Sequence, residues 1–135
     1  MKATDLMIGD WVETGHLVYN KVQEIARDND MQWYISFACG ITLFRMYEFG
    51  PVPLTPEILE ENGFCFVTSD DTKSVWNGQW IYKGLELATC CLNREGNWPC
   101  YINIDDMNIK CEYVHQLQHA LRLCGLNELA DNFKI

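Results

Sequence analysis

The spacing that most suggests chemistry is His115-Gln-Leu-Gln-His119, two imidazoles four residues apart. On a helix this puts both rings on one face, the arrangement that zinc-binding helices use. Two neighbours argue against it. Gln116 stands where a zinc peptidase carries its general-base glutamate, and Arg122 adds a charge that repels a cation. Zinc needs three or four protein ligands, and no further ligand follows downstream. Two solvated histidines on the outer face of a helix are therefore expected, and a metal-dependent hydrolase using His115 and His119 is the third functional reading.

A cysteine nucleophile could pair with either histidine, but no local sequence marks one thiol out. Cys39, Cys65, Cys90, Cys91, Cys100, Cys111 and Cys124 are odd in number and contain no Cys-x-x-Cys pair. They read as reduced thiols, most of them small core hydrophobes, in a cytoplasmic protein. Asp70-Asp71 and Asp105-Asp106 could hold a divalent cation, but they fit no calcium-loop spacing and read as turn formers. With no glycine-rich phosphate loop either, no catalytic residue, metal or cofactor is expected.

What the chain has in surplus is aromatic surface: 13% of its 135 residues are Phe, Trp or Tyr, with five Trp. Such side chains dominate protein interfaces. Asn77-Gly78 is the strongest turn signal and predicts a two-residue hairpin between Lys73–Trp76 and Gln79–Tyr82. In that register Trp76 and Trp80 fall on opposite faces, one in the core and one more exposed. The tip around Trp76 and Trp80 is thus the candidate binding surface, while Trp11, Trp33 and Trp98 occupy core-compatible strand positions.

The charge pattern narrows the partners. The formal charge is −9, and the ten basic residues are scattered singly, so no patch is set up to neutralise phosphates and nucleic-acid binding is disfavoured. The acidity suits solubility or a basic partner. At 48% hydrophobic and 21% charged the composition is that of an ordinary folded domain. No apolar run approaches the ~20 residues that span a bilayer, and the start lacks a signal-peptide core.

These residues must be held by short elements. Asp10–Glu13, Leu17–Ile25, Met31–Ala38 and Ile41–Met46 read as strands, with Met31, Trp33, Ile35 and Phe37 on one face of the third. Opened by Leu-x-x-Gly-Asp-x-Val, they resemble the small SH3-like barrels. Pro51-Val-Pro-Leu-Thr-Pro-Glu-Ile-Leu-Glu-Glu-Asn-Gly-Phe64 then reads as an extended connector into a helix of roughly two turns, capped by Thr55 and Gly63 with Pro56 in its first position. Leu54, Leu59 and Phe64 form a small apolar cluster that so short a helix cannot bury alone. The helix is expected to wedge into the seam between two lobes.

Beyond it, Phe64–Thr68, Leu85–Leu92 and Trp98–Ile104 read as strands. A helix over Glu112–Cys124 ends at Gly125, with Val114, Leu117, Ala120, Leu121 and Cys124 on its buried side and His115, His119 and Arg122 opposite. A further turn falls near Asn127–Ala130. The expected fold class is α+β: an SH3-like β-barrel lobe over 1–50, then a lobe over 51–135 of connector helix, antiparallel sheet and C-terminal helix, the two forming one cooperative unit.

Three stretches together resemble a known group. They are Met-Lys-Ala-Thr-Asp-Leu-Met-Ile-Gly-Asp-Trp-Val12, the connector from Pro51 to Phe64, and Tyr113-Val-His-Gln-Leu-Gln-His-Ala-Leu-Arg-Leu-Cys-Gly125. The chain looks like an uncharacterised family of small proteins of Bacteroidetes and their phages or mobile elements. The resemblance implies a cytoplasmic bacterial or phage protein and brings no catalytic residues. The favoured expectation is a non-enzymatic module that binds another protein; nucleic-acid binding through the barrel is the runner-up.

Overall fold

A computed structural model of the chain describes residues 1, 5–15, 17–40, 42–43, 49–68, 78–82, 85–89, 100–104 and 107–135. Its middle is set by the prolines. Helix α1 (Pro56–Glu61) starts at Thr55, whose hydroxyl accepts from Ile58 N–H at 3.4 Å, and Pro56 takes the first position, where a missing N–H costs nothing. Glu57 sits in the first turn and is held below its ordinary value, first by its own backbone N–H and then by the Thr55 hydroxyl. At the far end Gly63 has φ +82°. Gly63 N–H donates to Glu60 O and Phe64 N–H to Leu59 O, each at 3.0 Å, the bond pair of a Schellman stop.

Ahead of the connector lie β1 (Trp11–Glu13), β2 (Tyr19–Arg27), β3 (Trp33–Phe37), β4 (Thr42–Leu43) and β5 (Gly50–Pro51). They form an antiparallel sheet in the order β4-β3-β2-β1-β5. Val12, Val22, Ile35 and Phe37 share one buried cluster with Leu6 and Phe49. β5 was not foreseen, because Gly50-Pro51 reads as a linker; at an edge a proline is tolerated, since its missing N–H would face outward. Among the described residues no pairing closes this sheet into a barrel, and β5 leaves sequence order to pair with β1 at the far edge.

After α1 come β6 (Cys65–Thr68), β7 (Gly78–Tyr82), β8 (Leu85–Thr89), β9 (Cys100–Ile104) and β10 (Met107–Cys111). They form a second antiparallel sheet, a meander in the order β10-β9-β8-β7-β6. Helices α2 (Val114–Leu123) and α3 (Asn127–Asp131) close the chain. The architecture is α+β. Among the described residues no helix is long and apolar enough to cross a membrane.

Several expectations change here. β7 pairs with β6 on one side, Thr68 opposite Gly78, and with β8 on the other. Both its edges are filled, so the hairpin through Asn77-Gly78 does not form as predicted; Lys73–Trp76 lie outside the described residues. β10 was not foreseen. The apolar cluster of the connector is real: Leu54, Leu59 and Phe64 sit in one core with Trp80, Ile102 and Leu117, and Trp11 of β1 packs against that core from the N-terminal sheet. Trp33 is 37% exposed rather than core. β2 and β3 pair as far as Arg27 and Trp33, whereas β1 covers β2 only from Tyr19 to Lys21, so nothing in the ladder overhangs the Trp33 ring. It stacks instead with Arg27, 4.5 Å from the ring centroid. Of the thiols, Cys111 is buried and pushed up to about 12 by desolvation, but Cys39 and Cys65 are exposed and Cys124 is half-buried. The expectation of mostly buried cysteines therefore fails for those described.

Candidate functional site

The polar residues that sequence spacing gathers on one side of α2 do not face solvent. They face a turn more than a hundred residues away. Met7 to Asp10 forms that turn, with Asp10 N–H donating to Met7 O at 3.1 Å and Gly9 at φ +90° in the third position, which type II turns reserve for glycine. A side chain at Gly9 would also crowd Arg122, whose Nη2 would lie 3.1 Å from an added Cβ. The turn is locked to β2 through Gly9 N–H to Val22 O at 2.7 Å and Val22 N–H to Asp10 O at 2.8 Å.

Asp10 is 0% exposed and fully engaged. Its Oδ2 accepts from Met7 N–H at 2.7 Å and from His119 Nε2 at 2.6 Å, and its Oδ1 accepts from Arg122 Nη1 at 2.8 Å. A buried carboxylate needs such pairing to stay charged. Arg122, in the last turn of α2 where a cation suits the helix dipole, extends Nη2 to Ile8 O at 3.3 Å and to Asp131 at 3.2 Å.

Gln118, also 0% exposed, was not singled out by sequence and is the second anchor. Its Oε1 accepts from Trp11 N–H at 3.1 Å, and its Nε2 donates to Gly9 O at 3.0 Å and to Ala130 O at 2.8 Å. Trp11 adds a bond from its indole Nε1 to Phe133 O at 2.7 Å, and Lys21 Nζ reaches Asp131 O. The available signal was periodic. His115, Gln118, His119 and Arg122 lie at i, i+3, i+4 and i+7, a stripe of hydrogen-bonding side chains with the geometry of a buried face.

His115 is 6% exposed, so the solvated-histidine expectation is overturned for it; the N-terminal turn bonds to the same face of α2 at Gln118, His119 and Arg122. Its ring stacks on Tyr113 at 5.9 Å and meets His119 edge-on at 5.9 Å, and its Nδ1 has no hydrogen-bond partner. Burial pushes its pKa below the ordinary value of 6.5, Asp10 pulling the other way and His119 adding to the depression. Gln116 caps α2, its Oε1 accepting from the N–H groups of Glu112 at 2.8 Å and Tyr113 at 3.2 Å.

For metal binding this arrangement is unpromising. Among the described residues no three His, Cys, Asp or Glu gather as ligands. A cation between His119 and Asp10 would meet the Arg122 guanidinium, and His115 is walled in. Of the two tryptophans expected to bind a partner, Trp80 is only 4% exposed. It lies in the C-terminal core with its ring 5.1 Å from Phe66, so it presents almost no surface, and Trp76 lies outside the described residues. The acidic doublets Asp70-Asp71 and Asp105-Asp106 also lie outside them.

Apolar surface is offered elsewhere, at the tips of two hairpins. Leu17 is 74% and Met31 is 64% exposed, and both have positive φ, +64° and +62°. Leu17 N–H donates to Glu13 Oε1 at 3.0 Å, and Thr14 N–H to Val18 O at 2.8 Å. Asp28 holds the second tip, its carboxylate accepting from Asp30 N–H at 2.9 Å and Gln32 N–H at 2.8 Å. Compared with protein-family models, curated proteins and solved structures, the chain matches none.

Proposed function

We propose that the chain is a non-enzymatic protein-interaction module, an accessory protein of a phage or mobile element working in the cytoplasm, whose partner is basic and partly apolar. One observation carries the reading: leucine and methionine are held out to solvent at Leu17 and Met31 in a backbone conformation that suits glycine. An L-residue there costs roughly 1–2 kcal/mol, and the exposed side chain forgoes burial. Strain of this kind, fixed by local hydrogen bonds, is a mark of functional surface. The two tips stand beyond opposite ends of β2, which spans roughly 26 Å at 3.3 Å per residue. Glu13, Glu24, Asp28 and Asp30 lie in or beside the two hairpins, and the chain carries −9 overall, so a basic partner is the complementary one.

The sheet order β4-β3-β2-β1-β5 supports taking the N-terminal half as an SH3-like barrel that presents its hairpins in this way. Nucleic acid is a poorer partner. Lys21 and Arg27 lie over the rings of Trp11 and Trp33, Lys110 pairs with Glu112, and Arg122 is committed to Asp10. The test is affinity capture from lysate of the native host, comparing the wild-type chain with Leu17→Ser, Met31→Ser and the control Leu123→Ser, which alters an equally exposed leucine on α2. Loss of the same basic protein in a tip variant but not in the control supports the reading. An identical captured set for all four chains overturns it.

A further inference from the structure

The bonds that join the N-terminal turn to α2 are polar, and one titratable side chain on the same face of α2 is buried with a ring nitrogen unpaired. His115 is walled by Tyr113 on one side and the edge of His119 on another, and its Nδ1 faces no acceptor. Neutral, the ring leaves that one nitrogen unmet; protonated, it places a charged N–H donor in the same partnerless position, a far larger penalty.

The charged groups around it do not remove that penalty. Asp10 attracts a proton to the ring, but both its oxygens are already taken by Arg122, His119 and Met7 N–H. Asp5 also favours the charged form, while His119 and the N-terminal amine oppose it. The buried Asp10–Arg122 pair on the same face joins the turn to α2 at 2.8 Å, and this is the closed seam.

We infer that this seam is an acid-released latch: protonation of His115 separates the Met7–Trp11 turn from α2 and α3 while both sheets remain folded. The sign follows from linkage. A histidine whose folded form binds its proton more weakly than the open form stabilises the closed state above its ordinary value, and that contribution is lost as pH falls from 6.5 through the folded value. The inference goes beyond the binding reading and does not depend on it.

The test is NMR of the whole chain from about pH 8 to about pH 5, the interval in which histidine switches. The His115 ring is followed by its carbon shifts, and opening by exchange of the Trp11 indole N–H, which bonds to Phe133 O across the seam. The expected result is a His115 ring that titrates below 6.5, with protection of the Trp11 indole falling about tenfold per pH unit until that midpoint is reached. The amides of Val22 and Leu121 stay protected throughout. His115→Phe, close in shape but unable to take a charge, keeps the Trp11 indole protected across the range. A wild-type ring titrating at or above 6.5, an indole that stays protected through the titration, or an equal loss at Val22 and Leu121 would overturn the latch, and none of these readouts requires the variant to fold.

Discussion

The side of α2 carrying Val114, Leu117 and Leu121 meets the C-terminal core, whereas the side carrying His115, Gln118, His119 and Arg122 meets the turn before β1. Both sides are buried. The first is held by apolar contact, which is non-directional and tolerates swaps that keep volume. The second depends on hydrogen bonds of fixed length and direction, each of which leaves a stranded group when one partner is removed. A helix can thus sit deep in a protein and still carry a polar stripe, provided the opposing chain supplies a matched carboxylate and backbone groups.

The sharpest way to break the contrast is Asp10→Ala, which leaves Arg122 and His119 without their buried counter-charge. Stability measured by urea unfolding is expected to fall by about 3–5 kcal/mol. A loss under about 1 kcal/mol, the value of an exposed pair, would mean the cluster is solvated in solution.

A matched pair of substitutions on adjacent residues comes next. Leu117→Met on the apolar side is expected to cost less than about 1.5 kcal/mol. Gln118→Met, similar in size, strands Trp11 N–H, Gly9 O and Ala130 O, and at about 1–3 kcal/mol for each buried group it is expected to cost more than about 2 kcal/mol. Equal costs would erase the distinction between the faces. The smallest effect has the opposite sign: Leu17→Gly relieves the left-handed strain and is expected to raise stability by no more than about 1 kcal/mol, because glycine also adds entropy to the unfolded chain. A loss of stability would show that the Leu17 side chain packs in the isolated protein.

Sequence made the connector legible because its signals are local. Thr55, Pro56 and Gly63 act within a few residues of where they stand, and each holds its expected place. The apolar side of α2 was equally readable from its period. Its polar side was misjudged, because the same spacing describes a solvated stripe and a buried one, and only the partner distinguishes them. That partner, Asp10, lies 109 residues from His119, and no local pattern links the two. The strands β5 and β10 were missed for a related reason: Gly50-Pro51 is an edge, and Met107–Cys111 is a strand by virtue of its pairing with Cys100–Ile104. Trp80 shows the reverse error, an interface residue type whose neighbours, β6 and β8, place it in the core.

The central claim, that the polar stripe of α2 is what holds the N-terminal sheet to the rest, is tested most directly by native-state hydrogen exchange on the wild-type chain and Asp10→Ala. The account predicts that in Asp10→Ala the Trp11 indole N–H, which bonds to Phe133 O across the seam, loses protection while the Val22, Ile35 and Ile102 amides keep theirs. Equal loss at all four sites, or no loss at any, would contradict it.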